Sequence, residues 1–373
     1  MIKSTLIKIS GWKYHHIIRP ILFKLESEYI HEKMINLGEY LCKLQITQTI
    51  CKKFLTNDPK MYQTLHGIKF QNPIGLATGF DYEARIPKLL PSLGFGFGTV
   101  GTITNKPYEG NIKPRLGRLI KSLSLIVNKG FKNRGIDELI ERHTNSQFEI
   151  PIGLSIGKTN QKDQMTQEEA VQDIVSTFIK AESARLPFSY YELNISCPNL
   201  YGDIEFHSPV KLQQLLKALG ECNISKPIFV KMPINNTNEE ILAILNTISS
   251  FPIAGVIFGN LQKDRNHPLV DQRVLEKYPK GYLSGKPTWE RSNELISLAY
   301  KNFGKKLTII GCGGVFNTKD AYHKIKLGAS LVQIATGLIY EGPTIILQIT
   351  NELPKLLEKD GFKNISEAVG TLN

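Results

Sequence analysis

The runs LTIIGCG (307–313) and LVQIAT (331–336) decide the fold, because each is a short apolar segment that ends in glycine or threonine. Six similar runs precede them, separated by longer helical patterns: IGLAT (74–78), FGTVGTI (97–103), IPIGLSI (150–156), YYELNIS (190–196), PIFVKM (227–232) and AGVIFG (254–259). Strands that alternate with helices form parallel βαβ units, and eight nearly continuous apolar strands fit a closed barrel better than an open sheet. The sequence therefore predicts an α/β fold, a (β/α)8 TIM barrel.

The chain has 373 residues, which is enough for one barrel and a small appendage. Residues 1–60 differ from the rest, since they are rich in Ile, Leu, Lys and His and contain no acidic residue before Glu26. We therefore expect a small N-terminal helical extension over residues 1–60 and a barrel over residues 61–373.

Apolar residues at helical spacing predict two short amphipathic helices in this extension, joined near Glu26–Glu28, with Pro20 starting or kinking the first. The residues that carry the two patterns are Ile17, Ile18, Ile21, Leu22 and Leu25, then Ile30, Met34, Leu37 and Leu41. Their apolar faces fit either packing on the main domain or contact with lipid, and both interpretations hold if they concern different faces. Contact with lipid is favoured by Trp12 and Tyr14, which lie among basic residues as in an interfacial helix.

The formal net charge of +12 indicates an anionic partner: nucleic acid, an anionic membrane surface or a phosphorylated cofactor. No nucleic-acid module signature is readable, so no nucleic-acid partner is expected. The five cysteines are odd in number and lack paired ligand spacing, which favours a reducing compartment and predicts no metal site. No apolar run reaches the roughly 18 residues of a spanning helix and no signal-peptide cleavage pattern is present, so we expect neither secretion nor a transmembrane segment.

The ends of the last two predicted strands carry glycines at the place where α/β barrels commonly bind phosphate. Gly313 and Gly314 follow the seventh strand, and Ala335 and Thr336 follow the eighth. Glycine after a strand is also the usual residue of an ordinary turn. Their placement after the last two strands favours the phosphate interpretation. Lys231, at the end of the fifth predicted strand, is a separate candidate, since an inward lysine usually has an anionic partner.

The fourth predicted strand ends in NISCPN (194–199), which places Asn194, Cys197 and Asn199 together at the barrel mouth. Carboxamides suit a planar amide-bearing ligand, and a thiol can move a proton to or from carbon, although a buried cysteine is more often inert packing. Further candidates stand at the ends of other strands: Ala77, Thr78, Gly79, Thr102 and Asn260. Together these residues predict a planar phosphorylated cofactor and a small polar substrate.

The motifs GLATGFD, VGTITNKPYEGNIKPRLGRL, NISCPN, LSGKP, IIGCGG and ASLVQIATG occur in one order over nearly the whole chain. In this the sequence resembles the dihydroorotate dehydrogenases. The N-terminal stretch RPILFKL (19–25) with His31 is similar to the helical pair of the membrane-associated class that uses quinone.

The resemblance implies an FMN-dependent oxidoreductase acting on a CH–CH bond in pyrimidine biosynthesis, with Cys197 as the general base that takes a proton from the substrate. It implies quinone binding by His31 and Arg118, and contacts from Asn194, Asn199 and Asn260 to the pyrimidine. The residues that it assigns to FMN are Ala77, Thr78, Gly79, Thr102, Asn194, Lys231, Gly285, Gly313, Gly314, Ala335 and Thr336.

Several positions depart from the family pattern. Cys197 resembles the soluble class, since the membrane class normally carries serine there. Tyr82 replaces a lysine that usually follows GFD, and Val127 replaces a substrate-binding asparagine, so we predict weak binding of dihydroorotate unless Asn128, Lys129 or Lys132 replaces the lost contacts. Three further departures lie near the flavin or the substrate: Ser155, Gly259 and Leu261.

The first hypothesis is oxidation of dihydroorotate to orotate by FMN and a membrane quinone, on the cytoplasmic face of a bacterial inner membrane with peripheral attachment. The second is a flavoprotein of the same fold that acts on another cyclic amide. The third is a non-catalytic barrel that binds a phosphorylated ligand, since fold alone does not fix function.

Overall fold

The computed structural model describes residues 2–44, 49, 51–161, 163, 165–202 and 206–373. The strands in these residues are β1 Gln63–Leu65, β2 Ile68–Phe70, β3 Ile74–Leu76, β4 Phe97–Ile103, β5 Leu116–Leu119, β6 Ser124–Val127, β7 Ile152–Ile156, β8 Tyr190–Asn194, β9 Ile228–Met232, β10 Gly255–Phe258, β11 Tyr282–Leu283, β12 Thr308–Cys312 and β13 Leu331–Ile334. The α-helices are α1 Ile2–Lys13, α2 Arg19–Leu22, α3 Ser27–Cys42, α4 Gly135–His143, α5 Gln167–Ser183, α6 Pro209–Gly220, α7 Asn238–Ile248, α8 Gln272–Leu275, α9 Trp289–Phe303, α10 Thr318–Lys326, α11 Thr336–Glu341, α12 Ile345–Lys359 and α13 Ile365–Ala368.

Eight parallel strands close into a barrel in the order β10-β12-β13-β3-β4-β7-β8-β9. Each of the eight predicted runs contains one of these strands, so the predicted barrel is confirmed. The strands are buried on both sides, between side chains that fill the barrel and helices that cover it, which explains why their sequences are almost continuously apolar.

The motif residues lie at the carboxyl ends of the strands or in the loops that follow them. β3 ends at Leu76 and leaves Ala77–Gly79 in the following loop, and β8 ends at Asn194 and leaves the rest of NISCPN in the next. Because all eight strands are parallel, their carboxyl ends meet at one mouth of the barrel. The fold thus gathers the motif residues in one place.

The hairpin β1–β2 closes the opposite mouth, where Phe70 packs edge-to-face on Phe97 with ring centroids 5.6 Å apart. His66 Nε2 lies 3.0 Å from Thr308 Oγ1 at the start of β12. The sequence analysis missed this hairpin, although His66 and Gly67, with φ of 50° and 78°, form a tight turn of the kind that joins paired strands.

A three-stranded antiparallel sheet, in the order β11-β6-β5, covers part of the functional mouth and was also missed. Leu116 pairs with Val127, and Leu283 pairs with Ile126. One face of this sheet has its own apolar cluster, which includes Leu119. The other side contributes Leu116 and Val127 to the wall above the barrel.

Within residues 2–44, the N-terminal extension has two helical segments that meet at Glu26, where they were predicted to join. The Glu26 carboxylate accepts hydrogen bonds from the backbone N–H groups of Glu28 and Tyr29 and so caps α3. The first segment begins at Ile2, earlier than its apolar pattern indicated, and continues through a π-helical turn at Tyr14–Ile18 into α2.

One face of the extension packs on the barrel domain. Ile7 and Ile35 are buried, and at Gly11 a Cβ atom would lie 2.6 Å from Gln348 Nε2, so glycine lets α1 approach α12 closely. A second apolar face stays exposed, with Trp12 at 56% and Ile21 at 60% accessibility. Within the described part of the chain, no helix combines the length and hydropathy needed to cross a bilayer.

Candidate active site

A cavity at the carboxyl ends of the strands, called the barrel-mouth cavity here, has an empty volume of about 1270 Å³ and opens partly to solvent. It brings together residues at the ends of seven of the eight barrel strands, all except β7, and from the β11 loop. The predicted cofactor, substrate and catalytic residues that line it are Ala77, Thr78, Gly79, Thr102, Asn194, Cys197, Asn199, Lys231, Asn260, Gly285, Gly313, Gly314, Ala335 and Thr336.

Two glycine-rich loops form one end of this cavity. Gly313 and Gly314 have φ of 99° and 71°, in the region that favours glycine, and a Cβ on Gly314 would lie 2.8 Å from Trp289 Cβ. Next to them, α11 begins at Thr336, and the first backbone N–H groups of a helix have no partner inside it. These backbone donors suit the phosphate group of a nucleotide.

Lys231 lines the cavity with only 4% of its surface exposed and pairs with Asn194 across β8 and β9. Glu192, also on β8, is fully buried. Burial raises the pKa of the Glu192 carboxyl, while the positive charge of Lys231 and a hydrogen bond from Ser155 act in the opposite direction. The positive charge of Lys231 therefore stabilises the buried Glu192 carboxylate, and Lys231 also lines the cavity.

A chain of hydrogen bonds fixes the Asn194 carboxamide. Its Nδ2 donates to Thr102 Oγ1 at 2.8 Å, Thr102 Oγ1 lies 2.9 Å from Ser155 Oγ, and Ser155 donates to Glu192 at 2.7 Å. On the other side, Asn194 Oδ1 accepts from the Ser196 hydroxyl at 3.0 Å. Ser155 thus acts behind the cavity wall, since it is absent from the lining.

The loop after β8 holds Cys197 between two carboxamides. Asn260 Nδ2 donates to Ser196 O at 2.8 Å, and Asn199 Nδ2 donates to Val127 O at 3.0 Å. Burial raises the pKa of the Cys197 thiol to about 12, and the backbone N–H of Asn199 offsets part of this effect. The thiol is therefore protonated at neutral pH in the free protein.

The donor set fits a flavin nucleotide. The Thr78 hydroxyl and the Gln333 side-chain carbonyl are buried in residues that line the cavity, and neither has a hydrogen-bond partner among the described residues. At Gly79 a Cβ would meet no protein atom within 4 Å, so the wall there stays open to a flat ring. The sequence analysis missed Gln333, although a polar residue inside the apolar run LVQIAT was the available signal.

The departures from the family pattern lie mostly in the same cavity. Tyr82, Val127, Gly259 and Leu261 line it, whereas the Asn128 side chain accepts a hydrogen bond from Asn111 at 2.9 Å and lies outside the lining. Two lysines of the same loop also reach the cavity: Lys129 and Lys132.

A second cavity of about 1170 Å³ lies between the N-terminal helices and the barrel and is called the helix cavity here. Its lining is largely aliphatic and includes Arg118. The two cavities adjoin, and the residues that line both are His31, Phe80, Leu116, Leu125 and Ile339. An apolar path therefore leads from the extension to the barrel mouth.

The two predicted quinone residues stand at different points on this path. His31 stacks on Tyr82 at the junction, with ring centroids 5.7 Å apart, and its Nε2 has no hydrogen-bond partner among the described residues. Burial, then the charge of Lys129, holds the His31 pKa well below its usual value, so the ring is neutral. The Arg118 guanidinium donates to Leu25 O at 2.8 Å and stacks on Phe23.

A closed parallel barrel whose mouth gathers glycine-rich loops, a buried lysine and a thiol between carboxamides defines an α/β barrel with a pocket suited to a nucleotide cofactor. The family model of dihydroorotate dehydrogenase matches residues 60–357. The chain is 34% identical to a dihydroorotate dehydrogenase (quinone) of Trichodesmium erythraeum, over 96% of this chain and 99% of that protein. It is 37% identical to a protein of the same name from Christiangramia forsetii, over 93% and 99%.

A solved structure agrees with these relatives. The dihydroorotate dehydrogenase of Eimeria tenella in complex with ferulenol aligns with a TM-score of 0.76 and 27% identity, over 91% of this chain and 95% of that one. The chain belongs to the dihydroorotate dehydrogenase family, in its quinone class. Enzymes of this family are FMN flavoproteins.

Proposed function

We propose that this protein oxidises dihydroorotate to orotate with FMN and passes the electrons to a quinone. The observation that carries the proposal is the joint presence of Cys197, Asn194, Asn199 and Lys231 in one cavity that adjoins an apolar second cavity at His31. The first cavity suits a polar pyrimidine and a cofactor, and the second suits a long apolar molecule.

FMN would be held with its phosphate against the loops of Gly313, Gly314 and Thr336 and with its ring beside Lys231 and Thr78. When bound, it supplies the acceptor for a hydride from the substrate. The other residues that we assign to it are Ala77, Gly79, Thr102, Asn194, Gly285 and Ala335.

The protein's own part in the oxidation is to hold the ring and to remove a proton. Asn194, Asn199 and Asn260 offer carboxamide donors and acceptors to the pyrimidine. Cys197, as thiolate, takes the proton from one ring carbon while the hydride leaves the neighbouring carbon, and a carbon–carbon double bond forms between them. Loss of one proton and one hydride balances the oxidation.

The helix cavity is the proposed route of the quinone, with Arg118 along it and His31 at its inner end. Residues 1–60 would form the membrane and quinone segment, and residues 61–373 the catalytic barrel. The exposed apolar face of the extension and the net charge of +12 support peripheral attachment to an anionic membrane. We propose the cytoplasmic face of a bacterial inner membrane as the location.

Anaerobic addition of dihydroorotate to the purified yellow protein tests the reaction. The flavin absorbance should bleach, and a short-chain quinone should restore it. A flavin that no dihydroorotate bleaches, but another cyclic amide does, would favour a different substrate. A protein that binds no flavin would exclude an oxidoreductase.

Liposome binding tests the attachment. Trp12→Asp combined with Ile21→Asp should weaken binding to anionic vesicles, because a charge replaces an inserted apolar side chain. The matched control is Val210→Asp, since Val210 is 66% exposed on the barrel helix α6. Bleaching by dihydroorotate should be the same in all three proteins, and equal vesicle binding in all three would exclude this face as the contact.

A further inference from the structure

Lys129, on the loop after β6, has an ammonium that no other described group satisfies. Its Nζ is buried and has no hydrogen-bond partner among the described residues, and it lies 4.3 Å from the centre of the Tyr82 ring. Contact with an aromatic face stabilises a cation only partly, and a buried charge without a counterion is costly. A lysine held in this way is suited to an anion that enters the cavity.

The neighbouring cations are already neutralised. Lys132 Nζ lies 3.1 Å from Glu32 Oε1, and Arg115 Nε lies 2.8 Å from Glu28 Oε1. Glu28 and Glu32 are thus engaged by other partners, and no ion pair to Lys129 occurs among the described residues. Among the described residues, Lys129 therefore has no direct ion-pair or hydrogen-bond partner, although the charges of Glu28 and Glu32 stabilise its ammonium from farther away.

The loop that carries Lys129 is fixed beside the proposed pyrimidine site. Asn199 Nδ2 donates to Val127 O at 3.0 Å, and the backbone N–H of Asn111 donates to Lys129 O at 3.2 Å. Asn199 therefore holds this loop against the loop that bears Cys197. Lys129 lines the same cavity as Cys197 and Asn199, with its buried ammonium against the Tyr82 ring.

Tyr82 does not compete for an anion in this cavity. Its hydroxyl donates to Glu32 and accepts from Lys132 Nζ at 3.1 Å, and its ring contacts the Lys129 ammonium and stacks on the His31 ring. The tyrosine thus supports the lysine by its ring and has its polar atom occupied elsewhere.

We infer that Lys129 binds the carboxylate of the substrate and so gives this site its preference for a carboxylated pyrimidine ring over an uncharged one. The inference rests on the proposed function. It assigns the cation that binds the carboxylate to the loop after β6. Tyr82 stands after GFD, where relatives usually have a lysine. In the competing role, Lys129 contacts the quinone through the junction at His31. Its loss would then change the KM for quinone and not the affinity for orotate.

Titration of orotate against the flavin absorbance of the FMN-loaded protein tests the inference. Lys129→Gln should weaken orotate binding by roughly 10- to 100-fold, the effect of losing one charged hydrogen bond. Binding of uracil, which lacks the carboxylate, should change by no more than about twofold on the same ground. Lys129→Arg should recover part of the orotate affinity, because it restores the charge.

Lys132→Gln is the matched control, since it removes a lysine of the same loop whose charge is already paired and leaves Glu32 near Arg85. Its orotate affinity should stay close to that of the natural protein. Unchanged orotate affinity in Lys129→Gln would overturn the inference, as would equal losses for orotate and uracil. A higher KM for quinone with unchanged orotate affinity would assign Lys129 to the quinone path instead.

Failure of the proposed function has a separate signature. It would appear in the unsubstituted protein as the absence of flavin or of bleaching by dihydroorotate. The inference about Lys129 fails only in a protein that bleaches normally and binds orotate equally well with and without the lysine.

Discussion

The two ends of the barrel-mouth cavity are built differently. At the proposed phosphate end, Gly313, Gly314 and Thr336 line the cavity, and the two glycines have dihedral angles that glycine favours. At the substrate end, side chains from three distant segments meet: Glu32 on α3, Tyr82 after β3 and Lys129 after β6. Few residues can replace glycine where the backbone itself forms the surface. A charge at the substrate end, in contrast, can come from a side chain on any segment that reaches the same point.

The largest expected effect concerns the chemistry at the substrate end. Cys197→Ala should slow flavin reduction by dihydroorotate on the order of 10²-fold or more, the usual contribution of a general base. FMN content and orotate affinity should stay unchanged, because neither depends on the thiol. Anaerobic stopped-flow measurement of flavin bleaching gives the rate.

Cys197→Ser is the control for this substitution, since it keeps a group that can accept a proton. It should retain more activity than the alanine variant. Equal reduction rates for the natural protein and Cys197→Ala would show that the cysteine is packing, and a parallel loss of FMN would show that the loop had collapsed.

A comparison of two glycines tests the backbone-built end. Gly314 and Gly361 have φ of 71° and 83°, so alanine at either position should cost stability of order 1–3 kcal/mol. At Gly314 the new Cβ would meet Trp289 at 2.8 Å, whereas at Gly361 nothing lies within 4 Å.

FMN affinity should therefore separate the two variants. Gly314→Ala should weaken FMN binding by roughly 10- to 100-fold through displaced phosphate contacts, and Gly361→Ala should leave it unchanged. Fluorescence titration of the apoprotein with FMN measures the difference. Equal FMN affinities, with equal losses in thermal stability, would contradict a phosphate role for the Gly314 loop.

The barrel could be predicted because each of its strands is an apolar run whose burial on both sides leaves a local signal. The hairpin at His66 and the sheet of β5, β6 and β11 were missed because their strands are short, with at most 4 residues each. Their positions depend on pairing between segments far apart in the chain, as between β6 and β11.

The same distinction applies to the site. The motifs indicated Asn194, Gly314 and Lys231, because these residues lie at or just after the carboxyl ends of strands, and those ends must converge. The role of Lys129 was left open with that of Asn128 and Lys132, since only the fold shows which side chains reach the cavity. Tyr82 was interpreted as a lost contact, and its support of Lys129 depends on the position of α3.

Substrate affinity should fall as the pH rises through the pKa of Lys129. Burial lowers that pKa to about 8, so the ammonium is charged below pH 8 and becomes neutral above it. If the charge binds the carboxylate, orotate should bind up to about tenfold more weakly at pH 9 than at pH 7. The charged fraction of the lysine falls about tenfold for each pH unit above its pKa, and pH 9 lies about one unit above it. The charged and titratable groups around Lys129 are Glu28, Glu32, His31, Tyr82, Arg115 and Lys132.

The reduction rate at saturating dihydroorotate should show the opposite trend. The thiolate fraction of Cys197 increases with pH below a pKa of about 12, so the rate should rise from pH 7 to pH 9.

A variant without the lysine tests the pH dependence of binding. In Lys129→Gln the pH dependence of orotate binding should disappear. An orotate affinity that stays constant from pH 7 to pH 9 in the natural protein would contradict the charge assignment.

The smallest expected effect concerns Val127, the departure for which the structure offers no replacement. The Val127 side chain lines the cavity, while Asn128 is held by Asn111 outside it. Val127→Asn should therefore tighten orotate binding by about 1 kcal/mol, roughly fivefold, through one neutral hydrogen bond. The Asn199 bond should survive, because it uses the backbone carbonyl of Val127.

Asparagine at position 128 is already present, so Asn128→Val is the matched control for the same change in polarity one residue away. It should lower stability, because it leaves Asn111 Nδ2 without one of its acceptors, and it should not tighten orotate binding.

Combining Val127→Asn with Lys129→Gln separates the two contacts. The asparagine should then raise orotate affinity only about fivefold above that of Lys129→Gln alone, since a neutral contact cannot replace a charged one. If Val127→Asn leaves the orotate titration unchanged in both backgrounds, the valine is not the wall that faces the pyrimidine. The substrate end would then differ from that of related proteins only in the segment that supplies the lysine.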